Sequence, residues 1–172
     1  HACQNASAVY FLGDTFELIW LDWPKIWEKH GELLTALRHT SFTIPCHFIT
    51  GNHDPADKWL SEIHWLGEPV EQEVVDGWLL CHGHQFDITI SLLDKVAGWL
   101  YPYLPGLRNR LHQTPFQEKQ GEREAYDWHI RRVSAQALVY AKAQNASRIA
   151  FGHTHLHLVE TYPTLGVTLA NV

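Results

Sequence analysis

Four short stretches end an apolar run in a loop whose side chains bind metals or move protons. They are Tyr10-Phe11-Leu12-Gly13-Asp14, Phe48-Ile49-Thr50-Gly51-Asn52-His53-Asp54, Leu79-Leu80-Cys81-His82-Gly83-His84 and Ile149-Ala150-Phe151-Gly152-His153-Thr154-His155. Singly, each has an ordinary explanation: Gly13-Asp14 reads as a turn or helix cap, and Gly51-Asn52-His53-Asp54 as an Asx-turn. The pairs His82/His84 and His153/His155 put two imidazoles two residues apart, which on an extended segment places both on one side, within reach of adjacent metal ions. In α/β folds, ligands gather outside the carboxyl ends of strands, so four such ends can deliver their polar residues to one crevice. The total of 13 histidines exceeds what packing needs and favours a metalloprotein.

These loops need elements to carry them. Pro24 opens a helix running to about His39, with Ile26, Leu33, Leu34 and Leu37 on one face. A strand at Cys46–Thr50 follows, then a shorter helix near Ala56–Trp65. Next comes a strand pair around Glu73–Val75 and Trp78–Cys81, turned by Asp76-Gly77, a hairpin signal. From Ile88 to about Asn145 the pattern is helical, interrupted near Pro102, Pro105 and Pro115, and Asn145 suits the left-handed residue that closes a helix. Arg148–Phe151, His157–Thr161 and Val167–Ala170 read as strands. The expected fold class is α/β, a two-layer β-sandwich flanked by helices, forming a single domain over 1–172 with a helical, lid-like insertion at 88–147.

Composition narrows the function classes. A length of 172 residues with 45% hydrophobic content suits one domain with a sizeable core. Cys46 and Cys81 fall inside apolar strand runs and read as buried free thiols of a reducing compartment, so the expected location is cytoplasmic. The stretch 96–107 is too short to span a bilayer and contains Pro102 and Pro105. Residues 1–87 carry 4 basic and 13 acidic side chains, whereas 88–145 carry 8 basic and 5 acidic. A net-positive insertion on an acidic body suits a lid over an anionic substrate, although a solvated helical face has the same composition. Overall charge of −6, with no basic tail or zinc-finger spacing, argues against a nucleic-acid partner.

The series Gly13-Asp14, Gly51-Asn52-His53-Asp54, His82-Gly83-His84, Gly152-His153-Thr154-His155 resembles the calcineurin-like metallophosphoesterases over nearly the whole chain. Gly13-Asp14-Thr15-Phe16-Glu17-Leu18 and the helical insertion look most like the UDP-2,3-diacylglucosamine diphosphatase branch. His53 stands where that branch typically has arginine, and His84 where it typically has aspartate. The resemblance implies two divalent ions, with manganese favoured and iron or zinc also compatible with mixed oxygen and imidazole ligands. It implies that Asp14 bridges both ions, that Asn52, His82 and His153 complete one and that His155 binds the other. His53 would face the phosphate and leaving oxygen, with Asp54 orienting its ring, and His84 and Asp87 would support the ligands from behind. Such a pair of ions clamps both the attacking and leaving oxygens of an in-line displacement at phosphorus.

The resemblance thus implies a hydrolase of a phosphate ester or pyrophosphate, with a phosphorylated small-molecule or lipid substrate. The aromatic and basic stretch 96–110 has the composition of a segment making peripheral contact with the inner membrane or gripping an acyl chain. The family's opening Asp-x-His motif has no counterpart here. The absent methionine and an orphan helix end at Asn5 favour an N-terminally truncated enzyme. The competing reading is a catalytically incomplete phosphoesterase-fold protein acting as a binding module.

Overall fold

The structure, a computed structural model, describes residues 6–16, 18, 22–54, 61–87, 120–155 and 157–172, with backbone alone over 120–127. Two sheets organise it. The first contains β1 (Val9–Leu12), β2 (Cys46–Ile49) and β3 (Pro69–Val70) in that order, all parallel. The second contains β4 (Gln72–Val75), β5 (Trp78–Cys81), β6 (Arg148–Phe151), β7 (Leu158–Tyr162) and β8 (Val167–Asn171), in the order β4-β5-β6-β8-β7. Its three central strands β5, β6 and β8 are parallel, and the antiparallel strands β4 and β7 lie outside them. With its flanking helices this is the expected α/β class.

Each sheet has its own apolar cluster. In the first, Phe48 joins Ile26 and Leu34 of α1 (Trp23–Ser41), together with Phe16, Ile63 and Leu66. In the second, Leu79, Ile149, Phe151 and Leu169 pack against Val133, Ala137, Leu138 and Ala141 of α2 (Gln120–Ala143). The described half of the expected insertion is therefore also scaffold, because the inner face of α2 closes the second core. Burying each such large side chain stabilises the fold by about 1.5–3 kcal/mol.

Local signals explain most boundaries. Pro24 sits in the first turn of α1, where its missing N–H costs nothing. Asp76 and Gly77 take φ of 49° and 79°, the two positive values that a type I′ turn requires between β4 and β5. Asn145 takes φ of 56° while the Ala146 amide donates to the Ala141 carbonyl at 2.9 Å, closing α2 in the left-handed way that Asn tolerates.

Several expectations need correction. Ile26 and Leu34 are buried as expected, but Leu33 is 59% exposed, because α1 kinks at His30 (φ −127°, ψ 18°) and the break shifts the helical phase beyond it. Cys46 is only half-buried, while Cys81 is fully buried. Strand β3 escapes periodicity because it has two residues. The two histidine-containing loops are not extended: Gly83 (φ 112°) leads into a 3-10 turn at His84–Phe86, and His155 has φ 55°. Of the helix expected near Ala56–Trp65, residues 61–63 are helical and continue into a 3-10 turn at His64–Leu66. Residues 56–60, the orphan cap at Asn5 and all of 88–119 lie outside the described residues. Among the described residues, no helix is long and apolar enough to cross a membrane.

Candidate metal centre

All four motif loops leave the carboxyl ends of parallel strands, two from each sheet: β1 and β2 from the first, β5 and β6 from the second. Glycines let them close on one another. A Cβ on Gly13, whose φ is 81°, would stand 2.5 Å from His82 Nδ1, and one on Gly51 would collide with the Asp14 carboxylate. On Gly83 it would meet Phe151 and the Cβ of His153 at 2.9 and 3.1 Å. The carbonyl of His82 then accepts the amides of both Gly152 and His153 at 3.0 Å, tying the β5 loop to the β6 loop.

Three side chains converge in this interlock. His82 Nε2 lies 3.0 Å from Asp14 Oδ2 and 3.1 Å from His153 Nδ1. One metal-ligating atom from each of Asp14, His82 and His153 lies within 4.8 Å of the others. Each ring has a polar partner on its far side. His82 Nδ1 faces the Leu12 carbonyl at 2.8 Å, so it carries the proton and leaves a lone pair on Nε2. His153 Nε2 stands 3.5 Å from Asp87 Oδ2, an ion-pair distance; a proton on that nitrogen would leave the lone pair on Nδ1. With protons on both far nitrogens, two imidazole lone pairs and a carboxylate would face one place, an arrangement that a divalent cation satisfies and that is otherwise held together by a proton. The residues present fit a metal ion.

The electrostatics agree. Burial alone would pull the His82 imidazole down, but the hydrogen bond and charge of Asp14 outweigh it and raise its pKa. Burial would raise the Asp14 carboxyl, yet His82 and the His53 amide together bring it below the usual range. Burial and the neighbouring His82 both push His153 down, which keeps it neutral, the form a metal ligand requires.

The other expected residues lie around this trio. The His53 amide donates to Asp14 Oδ1 at 2.7 Å, and its ring stands with Nδ1 4.0 Å from Asp14 Oδ2, a quarter exposed. Asp54, which the family resemblance would have orient the His53 ring, is buried and accepts the amides of Gly51, Thr15 and Phe16 at 3.1, 3.3 and 3.3 Å. It joins the β1 and β2 loops, and its burial raises its pKa against those bonds. Asn52 lies half-buried in the same turn, with its Oδ1 shielded from solvent. His155 is exposed and does not join the converging trio. The His84 ring leans against His82, with centroids 5.5 Å apart.

Two contributors escaped sequence reasoning. His129 of α2 places Nε2 3.0 Å from Asp87 Oδ2, joining the helix to the carboxylate behind His153. Asn171, at the end of β8, donates from Nδ2 to Thr154 Oγ1 at 2.5 Å and braces the loop between His153 and His155. Neither belongs to a motif; the register Phe151↔Asn171 is what brings Asn171 beside that loop.

The family model for calcineurin-like phosphoesterases matches residues 1–157. No curated protein matches the chain. The matched region contains the whole converging trio and both loops of the first sheet, and on that match this chain belongs to the calcineurin-like phosphoesterase family.

Proposed function

We propose that this chain hydrolyses a phosphate ester or pyrophosphate with the help of two divalent ions, manganese the preferred metal, and that its substrate is an amphiphile of the UDP-2,3-diacylglucosamine type. The observation that supports the reading is the convergence of Asp14, His82 and His153 in a chain of this family. Divalent ions at such a site supply Lewis-acid polarisation of phosphoryl oxygens and a nucleophile at neutral pH. The protein's own groups do the rest. Asp14 offers one oxygen to the trio and fixes the His53 backbone with the other. Asn52 completes the first site, and we assign exposed His155 to the second. His53, with part of its ring open to solvent, holds a proton for the leaving oxygen.

A substrate of this kind would bring the protein to the cytoplasmic surface of the inner membrane. The segment 96–110 that would make such contact lies outside the described residues. The test is an activity screen of metal-loaded protein against phosphomonoesters, phosphodiesters, nucleotide-sugar pyrophosphates and a lipid-bearing nucleotide-sugar pyrophosphate. Metal-dependent turnover concentrated on the last class supports the proposal. Turnover confined to small soluble esters removes the lipid-directed part, and no turnover in any class with Mn2+, Fe2+ or Zn2+ favours the binding-module reading.

A further inference from the structure

Asp87 is a buried carboxylate that closes the 3-10 turn after β5, its amide donating to the His84 carbonyl at 3.1 Å. A buried carboxylate needs close partners, and this one gathers two imidazoles from different elements on one oxygen: His153 Nε2 at 3.5 Å and His129 Nε2 at 3.0 Å. His129 continues the inward stripe of α2 that runs through Val133, Ala137 and Ala141, but at the end of the stripe nearest the centre. The apolar part of the stripe holds the helix on β6 and β8 wherever the metal is. His129 is the position at which the helix reaches the back of a ligand ring.

We propose that Asp87 and His129 are positioning residues of the metal centre, so that docking of this end of α2 and retention of the metal are one linked equilibrium. The proposal rests on reading Asp14, His82 and His153 as metal ligands. Asp87 fixes the His153 ring with Nδ1 turned towards Asp14 and His82, and His129 holds the Asp87 carboxylate in the orientation that does so. Linkage is reciprocal: if the helix contact strengthens metal binding, bound metal strengthens the helix contact by the same factor. An ordinary ion pair that only neutralises Asp87 would stabilise the fold without altering metal affinity.

The experiment measures metal affinity rather than turnover. Chelated, metal-free protein is titrated with Co2+, followed by its visible absorption and by competition with a chromophoric chelator. The variants are His129→Leu, His129→Gln, Asp87→Asn and His153→Ala. Losing a partner behind a ligand typically weakens metal binding about 10–100-fold. We expect losses on that scale for His129→Leu and Asp87→Asn, with His129→Gln, which keeps a donor for Asp87, recovering most of the affinity. In wild type, Mn2+ should slow amide exchange in residues 128–133, and in His129→Leu it should not. Wild-type Co2+ affinity in His129→Leu overturns the proposal. Should that variant fail to fold, wild-type affinity in Asp87→Asn, which is equal in shape, overturns it instead. If His153→Ala leaves Co2+ affinity unchanged, the ligand assignment itself is wrong and both readings fall.

Discussion

His82, at the end of β5, is held by the carbonyl of Leu12, the last residue of β1, at 2.8 Å, although the two belong to different sheets. This contact orients the ring of the most buried member of the converging trio and joins the sheets at the point where Asp14 leaves β1. Four expectations depend on it and on its neighbours.

Replacing Asp14 with Ala removes the only carboxylate of the converging trio and the acceptor for the His53 amide. Metal content by elemental analysis is expected to fall to background, and phosphoester turnover with it. Retention of two ions in this variant would show that the ligands lie elsewhere.

His53→Ala leaves that trio intact. The expected result is unchanged metal content with turnover slowed about 10²–10⁴-fold, the usual scale for a lost acid–base group. Loss of metal together with activity would make His53 a ligand instead.

Gly13→Ala should cost far more than Gly166→Ala, although both residues have positive φ, 81° and 63°. Left-handed strain alone is about 1–2 kcal/mol for each. Around Gly166 nothing lies within 4 Å, whereas at Gly13 the new methyl meets the His82 ring at 2.5 Å. Urea unfolding should show about 1–3 kcal/mol of additional loss at Gly13, the scale of an overpacked site, along with weakened metal binding. Equal losses in the two variants would mean that the His82 ring yields to the methyl.

Metal affinity should rise with pH and then level off. His82 has a raised pKa in the metal-free fold, so below that value a proton competes with the ion, and each ion bound displaces it. The sign for stability is opposite. The His82–Asp14 pair stabilises metal-free protein fully below the ordinary imidazole pKa, and that contribution is lost as pH rises through the raised value. His153, pushed down, adds no proton release near neutrality. Calorimetry in buffers of differing ionisation enthalpy counts the protons; release that increases with pH would contradict this assignment.

The elements and loops were legible because their signals are local. Pro24, Asp76-Gly77 and Asn145 each impose a backbone geometry within a few residues, and the strand-then-polar-cluster pattern locates the four loops. What sequence could not supply was direction. Two-residue spacing in His153-Thr154-His155 suggests a shared side only if the segment is extended, but the positive φ at His155 breaks that relation, leaving the His153 side chain only 6% exposed while His155 is exposed. Leu33 misled for a similar reason, since a kink at His30 resets the helical phase. His129 was invisible because its role depends on where α2 docks, which is a property of the assembled core.

The interlock at the strand ends also bears on how the protein reaches its native state. His82 contacts residues 70 and 71 positions away at Leu12 and His153, and Asp54 reaches back 38 and 39 positions to Phe16 and Thr15. Each such closure must overcome chain entropy before it is rewarded, and no local segment of the chain contains even two members of the trio. A metal ion therefore cannot template folding from one end in the way it does for a small zinc module. An ion held by all three residues would stabilise molecules in which both sheets have already met, acting as a late seal on the assembled chain.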